Sequence, residues 1–203
     1  MKEKFVNSSI KFIMKYQECD DLKLKKLNYG LQGIYSLIVK LSVIIIIAII
    51  TKTIKQTIWF LFFYTGIRTY SFGWHAKTNI GCWISSIIAY NIIPLLIKNY
   101  IIPDIIGYII LGIALISMIL WSPADTQKRP LIRKEHRKKC KIISTAVIII
   151  YIVLFVLKIN HLINNAIIYA SFIQSLFINP LFYKITKTQF NNYKYYRKTI
   201  NMV

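Results

Sequence analysis

Apolar residues in this chain come in unbroken blocks rather than at alternate or every third or fourth position. LSVIIIIAII, residues 41–50, carries no charge, and neither does IISTAVIIIYIVLFVL, residues 142–157. A bilayer-spanning helix needs about 20 predominantly apolar residues, because only a helix satisfies every backbone polar group within one segment. On that template the pattern predicts six spans, near residues 34–51, 54–67, 82–97, 101–121, 142–157 and 162–183. The second is the shortest and is expected to be tilted, broken or partly re-entrant. Pro94 and Pro103 are expected to bound the turn between the third and fourth, since proline cannot continue a helix.

The first 33 residues follow a different rhythm. Val6, Ile10, Ile13 and Gln17 recur at helical spacing, as do Leu24, Leu27, Leu31 and Ile34, with lysines on the other face. This predicts a basic amphipathic region, lying either on an anionic inner leaflet or on the ends of the spans. The expected fold is thus all-α and polytopic, a single membrane-embedded domain. It comprises an amphipathic region (1–33), a six-helix region (34–183) and a basic tail (184–203).

Charge orients the spans. The chain holds 27 Lys+Arg against 7 Asp+Glu, a net charge of +20. Placing both termini in the cytoplasm puts the N-terminal lysines, Arg68, Lys77, the run from Lys128 to Lys141 and the tail inside. Only Lys52, Lys55, Lys98 and Lys158 then lie outside, and Lys40 falls within the first span. That asymmetry is what the positive-inside rule describes. Nucleic-acid binding, the other class suggested by a basic chain, finds no recognition motif beside the basic runs. Lysines and acidic residues interrupt the chain through Lys26 and leave no signal-peptide h-region, so the first apolar block is expected to stay as an anchor rather than be removed as a leader.

Three cysteines, Cys19, Cys82 and Cys140, with no CxxC spacing, argue against a disulfide framework or a thiolate zinc site. Two of them have a nearby histidine: His75 with Cys82, and His136 with Cys140. The second pair sits in RKEHRKKCK, a charge run expected to be a solvated helix beside the membrane. The first sits in RTYSFGWHAKTNIGCW, residues 68–83, among glycines that allow tight turns and aromatics that supply apolar walls. Polar groups at membrane depth are costly, so a functional reading starts ahead there.

A thiol needs a proton acceptor to become a nucleophile. Seven residues along one helix correspond to about 10.5 Å of rise, too far for proton transfer, so His75 is expected on a loop or a folded-back segment. If Thr78 or Asn79 caps the third span, Cys82 lies in its first turn, where the helix dipole favours a thiolate.

The stretch RTYSFGWHAKTNIGC resembles the central motif of the accessory gene regulator protein B family, whose members process quorum-sensing propeptides in Gram-positive bacteria. NYGLQGIYSLIVK, before the first span, and SPADTQKRPL, after the fourth, resemble the family in the same order. Phe72-Gly73-Trp74 departs from it, because two adjacent glycines are often found there. The resemblance implies a cysteine endopeptidase of the bacterial cell membrane with its active site on the cytoplasmic side. His75 and Cys82 would be its catalytic pair, with Arg68, Gly73 and Asp125 in support.

Such an enzyme would remove the C-terminal tail of an AgrD-like propeptide through an acyl-enzyme on Cys82 and pass the remainder on as a cyclic thiolactone or lactone. Asp125 is expected either to orient His75 or to cap the helix after the fourth span. Lys128, Arg129, Arg133 and Lys134 are expected either to serve only as positive-inside charge or to attract an acidic propeptide tail. Expected partners are that propeptide and a bilayer with an anionic inner leaflet, with a homodimer left open; neither nucleic acid, cofactor nor metal is expected. The alternatives are a small peptide exporter, for which the spans lack paired charges and inverted-repeat symmetry, and a non-catalytic scaffold.

Overall fold

A computed structural model describes residues 1–17, 19–76, 78–126 and 130–194. The described residues are all-helical, without strands apart from one isolated bridge between Phe72 and Ala124. The chain divides into two compact units, residues 1–50 and 51–203.

The first unit is a helix pair, α1 (Lys2–Met14) and α2 (Asp21–Ile50). Val6 is buried and the Phe5 and Tyr35 rings approach to 5.5 Å, so the apolar face of α1 meets α2. The second amphipathic run does not stand apart from the first span. It is the N-terminal part of α2, a single helix of 30 residues. Asp20 accepts a hydrogen bond from the Lys23 amide at its start, and no proline interrupts the sequence up to Ile50. Gly30 and Gly33 lower helix propensity without breaking it.

The second unit contains α3 (Ile54–Ser71), α4 (Asn79–Asn99), α5 (Asp104–Trp121), α6 (Lys134–Val156), α7 (His161–Ile178) and the short α8 (Pro180–Ile185). Pro94 lies inside α4 and does not bound a turn. Helix continues for five residues beyond it, and the break comes at Tyr100, with Pro103 immediately before α5. A proline deprives the helix of one hydrogen bond, a loss that packing within a bundle can absorb. The last span also ends earlier than the apolar pattern indicated, at Ile178. Pro180 occupies the first position of α8, and the Asn179 side chain accepts the Leu181 amide, which restarts the chain as a new helix.

Five described helices are long and apolar enough to cross a membrane: α2, α4, α5, α6 and α7. Large aliphatic side chains along them stay exposed, as on α5 at Ile105, Ile109, Ile113 and Ile116, which suits lipid rather than water. Helix α3, at the place of the second expected span, is continuous over 18 residues rather than 14, but Lys55, Gln56 and Arg68 lower its mean hydropathy. It lies against α4, α6 and α7, with Phe60, Phe63 and Ile67 buried. Tyr151 on α6 crosses close to Gly66 and donates to the Phe63 carbonyl at 2.7 Å, a contact that any Cβ at position 66 would obstruct.

Helix α7 is the most enclosed candidate span, with 61% of its residues buried against 28% or less for the others. It brings Asn165, Ser171, Gln174 and Ser175 into the interior. Asn165 uses its side-chain amide to hold the α4–α5 connection, donating to the Tyr100 carbonyl and accepting the Ile102 amide.

Candidate functional site

Helix α3 ends at Ser71 because the next two residues leave helical geometry: Phe72 has φ 57° and Gly73 has φ 120°. The second value is one that L-residues with side chains rarely adopt. A Cβ on Gly73 would also stand 3.1 Å from the Phe177 carbonyl oxygen and 3.3 Å from both Arg68 and Gln174.

This turn is tied by three backbone hydrogen bonds. The Gly73 amide donates to the Ala124 carbonyl at 2.8 Å, the Ala124 amide to the Ser71 carbonyl at 2.9 Å, and the Trp74 amide to the Phe177 carbonyl at 2.7 Å. The ends of α5 and α7 therefore fix the segment that carries His75.

Helix α4 begins at the other end of that segment. The Thr78 side chain accepts the Gly81 amide at 3.0 Å, the cap that the sequence suggested, and Cys82 falls in the first turn. His75 stays on the connection between helices, and folding back brings its Nε2 to 3.7 Å from Cys82 Sγ. His75 is exposed and Cys82 half-buried.

Arg68 stands beside the pair without bonding to either member. Its Nη2 donates to the Trp74 carbonyl at 2.7 Å, adjacent to His75. Its Nη1 donates to Gln174 Oε1 at 3.3 Å. The guanidinium also lies 5.6 Å from the Tyr64 ring centre and 5.4 Å from that of Phe177, where aromatic faces favour a cation. Together these groups line a cavity of about 90 Å³ open to the Cys82 sulfur, with Ser86 and Tyr90 on the α4 wall.

Gln174 has no counterpart in the sequence-level site. It is fully buried, and its amide nitrogen donates to Ser71 Oγ and to the Phe72 carbonyl, both at 2.6 Å, while its oxygen accepts a hydrogen bond from Arg68 Nη1. One side chain of α7 thus bonds both the turn and the arginine. Its signal in the sequence was a lone amide within an apolar run, YASFIQSLFI, where an unpaired polar group would be expensive.

Asp125 is not joined to His75. Oδ1 accepts the Asn192 amide at 2.8 Å, and Oδ2 accepts the amides of Tyr193 at 2.9 Å and Leu131 at 3.2 Å. It does not cap α6 either, whose first residue is Lys134. Instead it fastens the C-terminal segment to the α5–α6 connection. Burial pushes its carboxyl above the usual carboxylate range, against the opposing pull of the Leu131, Tyr193 and Asn192 amides.

Among the basic candidates, Arg133 and Lys134 are exposed at the start of α6, whereas Lys128 and Arg129 lie outside the described residues. The second His–Cys pair has the same separation as the first, Cys140 Sγ to His136 Nε2 at 3.7 Å. Distance alone does not separate the two pairs. His136 and Cys140 are four residues apart within α6, where any such pair meets by helix geometry, and the Cys140 thiol is buried.

Comparison with known proteins extends these observations. Residues 6–178 match the profile of the family described as Accessory gene regulator B. A putative AgrB-like protein of Listeria innocua serovar 6a is 34% identical over 174 residues, covering 84% of each chain. Another, of Clostridium acetobutylicum, is 27% identical over 191 residues, spanning 92% of this chain and 89% of its own length. The accessory gene regulator protein B of Staphylococcus carnosus is 30% identical over 154 residues, 76% of this chain and 79% of its own. No solved structure matches.

Proposed function

This chain belongs to the accessory gene regulator B family, whose role is in quorum-sensing peptide processing, and from that premise we propose that it is a membrane cysteine endopeptidase acting on an AgrD-like propeptide. The observation that carries the reading is the approach of His75 Nε2 to Cys82 Sγ, 3.7 Å, across a break between two helices. A loop histidine beside a thiol at a helix start, facing a cavity, is an arrangement suited to nucleophilic catalysis.

In the proposed reaction Cys82 gives its proton to His75 Nε2 while its sulfur attacks the carbonyl carbon preceding the propeptide tail. The tetrahedral adduct collapses, the C–N bond breaks, and the departing tail amine takes the proton from His75. The retained peptide is then a thioester on Cys82. A thiol or hydroxyl within that peptide attacks the thioester, closes a thiolactone or lactone ring, and returns a proton through His75 to the Cys82 sulfur. Arg68 acts on the Trp74 carbonyl and holds the histidine segment in place. Gly73 supplies the backbone conformation that the segment requires.

The proposed topology has six spans, with α3 as the sixth. Its 18 residues extend about 27 Å, close to the thickness of a hydrocarbon core. Both termini and the His75–Cys82 end of the bundle then face the cytoplasm, in keeping with the charge asymmetry. Lys128, Arg129, Arg133 and Lys134 would draw an acidic propeptide tail toward this end over roughly 8 Å at physiological ionic strength.

The test is cleavage of an AgrD-like propeptide by the chain in nanodiscs, followed by mass spectrometry. Cys82→Ala and His75→Ala should give no product and Cys82→Ser no detectable thioester, whereas Cys19→Ser and Cys140→Ser should cleave as the parent does. Cleavage by Cys82→Ala at the parent rate would overturn the assignment.

A further inference from the structure

A second and larger cavity, about 570 Å³, opens between the end of α5, the start of α6 and the C-terminal segment. Lys134, Arg137, Lys138 and Lys141 line it from successive turns of α6, with Glu135 as the lone acid and Trp121 on the α5 side. Arg137 is part of the frame. Its Nη1 donates to the carbonyls of Leu131 and Ile132 at 2.8 and 2.9 Å, and its guanidinium stacks 3.9 Å from the Tyr193 ring centre. The lysine ammonium groups are strongly hydrated point charges on flexible stems, suited to phosphate oxygens rather than to one fixed geometry.

Both walls of this cleft continue as exposed apolar tracks. On α6, Lys134 and Lys138 are followed along the same stripe by Ile142, Ala146, Ile149 and Val153, all exposed. On α5, running the opposite way, Leu120, Ile116, Ile113 and Ile109 form an exposed stripe that ends beside Trp121. The two helices pack against each other. The cationic cleft therefore stands where two candidate spans pass from apolar to polar, with a tryptophan at the boundary, the level at which lipid headgroups meet aromatic side chains.

We propose that this cleft is a binding site for one anionic phospholipid, its phosphate among Lys134, Lys138 and Lys141 and its acyl chains along the α5 and α6 stripes. A cation cluster alone would suit an acidic peptide equally well; the paired apolar tracks below it match an acyl-chain ligand. Through Arg137, the cleft also borders the segment that Asp125 holds, so a bound lipid would brace the C-terminal segment against α6. The site is independent of the chemistry at Cys82.

The experiment is native mass spectrometry of the full chain released from nanodiscs containing equal parts phosphatidylglycerol and phosphatidylcholine. The parent should retain phosphatidylglycerol preferentially. Lys138→Gln/Lys141→Gln should reduce that retention by about tenfold or more, since each basic residue near an anionic surface contributes roughly fivefold in occupancy. Arg133→Gln/Lys139→Gln removes the same charge from the same helix outside the cleft and should change retention less than about twofold. Lys138→Arg/Lys141→Arg should restore it, which separates loss of the site from loss of the fold.

Equal losses in the two glutamine variants would reduce the effect to general surface attraction and overturn the proposal. So would retention of the zwitterionic lipid to the same extent. If the cleft variant instead keeps its lipid and loses affinity for a synthetic acidic decapeptide, the cleft serves a peptide and the lipid assignment fails.

Discussion

Two His–Cys pairs stand at the same 3.7 Å separation, so what distinguishes them is what surrounds each sulfur. Cys140 is buried within α6, while Cys82 opens to a cavity shared with Arg68. Gln174 stands behind that cavity, bonded to Arg68 and to the turn that leads into the histidine segment. Replacing it with leucine roughly keeps the volume but leaves the Phe72 carbonyl without its side-chain donor, a loss of about 1–3 kcal/mol, while Ser71 Oγ keeps only its bond to the Ile67 carbonyl. Gln174→Leu is therefore expected to insert normally in the membrane yet cleave propeptide at least about tenfold more slowly. Alkylation of Cys82 by a charged thiol reagent, measured in a Cys19→Ser/Cys140→Ser background, should slow in parallel. An unchanged alkylation rate and unchanged cleavage would confine Gln174 to general packing.

Among the helices, α4 depends on its first turn, because that turn carries the sulfur. The Thr78 hydroxyl is the side-chain cap, and loss of such a cap costs about 1 kcal/mol. Thr78→Val, nearly isosteric, is expected to fray the turn and lower the cleavage rate severalfold. Thr78→Ser, which retains the acceptor oxygen, should stay within about twofold of the parent. The measurement is cleavage rate at saturating propeptide for the three chains. Equal rates for valine and serine would mean that the turn is held by packing and not by its cap. The break at Asn179-Pro180 matters in the same way. By ending α7 at Ile178 it turns the Phe177 carbonyl toward the Trp74 amide, and so ties the histidine segment to the far end of the chain.

Across the whole molecule, the number and direction of crossings decide which face of the membrane carries the His75 end. The proposed six-span topology would place residues 133–139 and both termini in the cytoplasm, with the α4–α5 connection outside. Cysteine-accessibility labelling on intact cells, in a chain lacking its own cysteines, should give no signal from Lys139→Cys and a clear one from Tyr100→Cys or Ile101→Cys. A surface signal from Lys139→Cys would reverse the orientation and put the His75 end on the outer face. Asp104, the first residue of α5, and Lys158, just after α6, paired at 2.6 Å at the opposite end of these helices, would then lie in the cytoplasm.

Uninterrupted apolar blocks determined most of the helices directly, since bilayer length and backbone satisfaction leave few options for such runs. The same local information narrowed the cap to Thr78 or Asn79 and marked His75 as a residue that had to leave the helix to reach Cys82. Spacing along the chain could not reveal what depended on distant partners. Pro94 looked like a terminator, but neighbouring helices support α4 through it. Residues 24–33 looked separate, but no local breaker divides them from α2. Asp125 looked like either a partner for the histidine or a helix cap, yet the tertiary fold brings the amides of Asn192 and Tyr193 to it from nearly seventy residues away. Gln174, more than one hundred residues from Arg68 and Ser71, acquired its place only when α7 packed against α3. Hydrophobic pattern specifies which segments enter the membrane because each residue meets lipid on its own. Hydrogen bonds inside the bundle need two partners at once, and only the packed helices decide which polar groups meet.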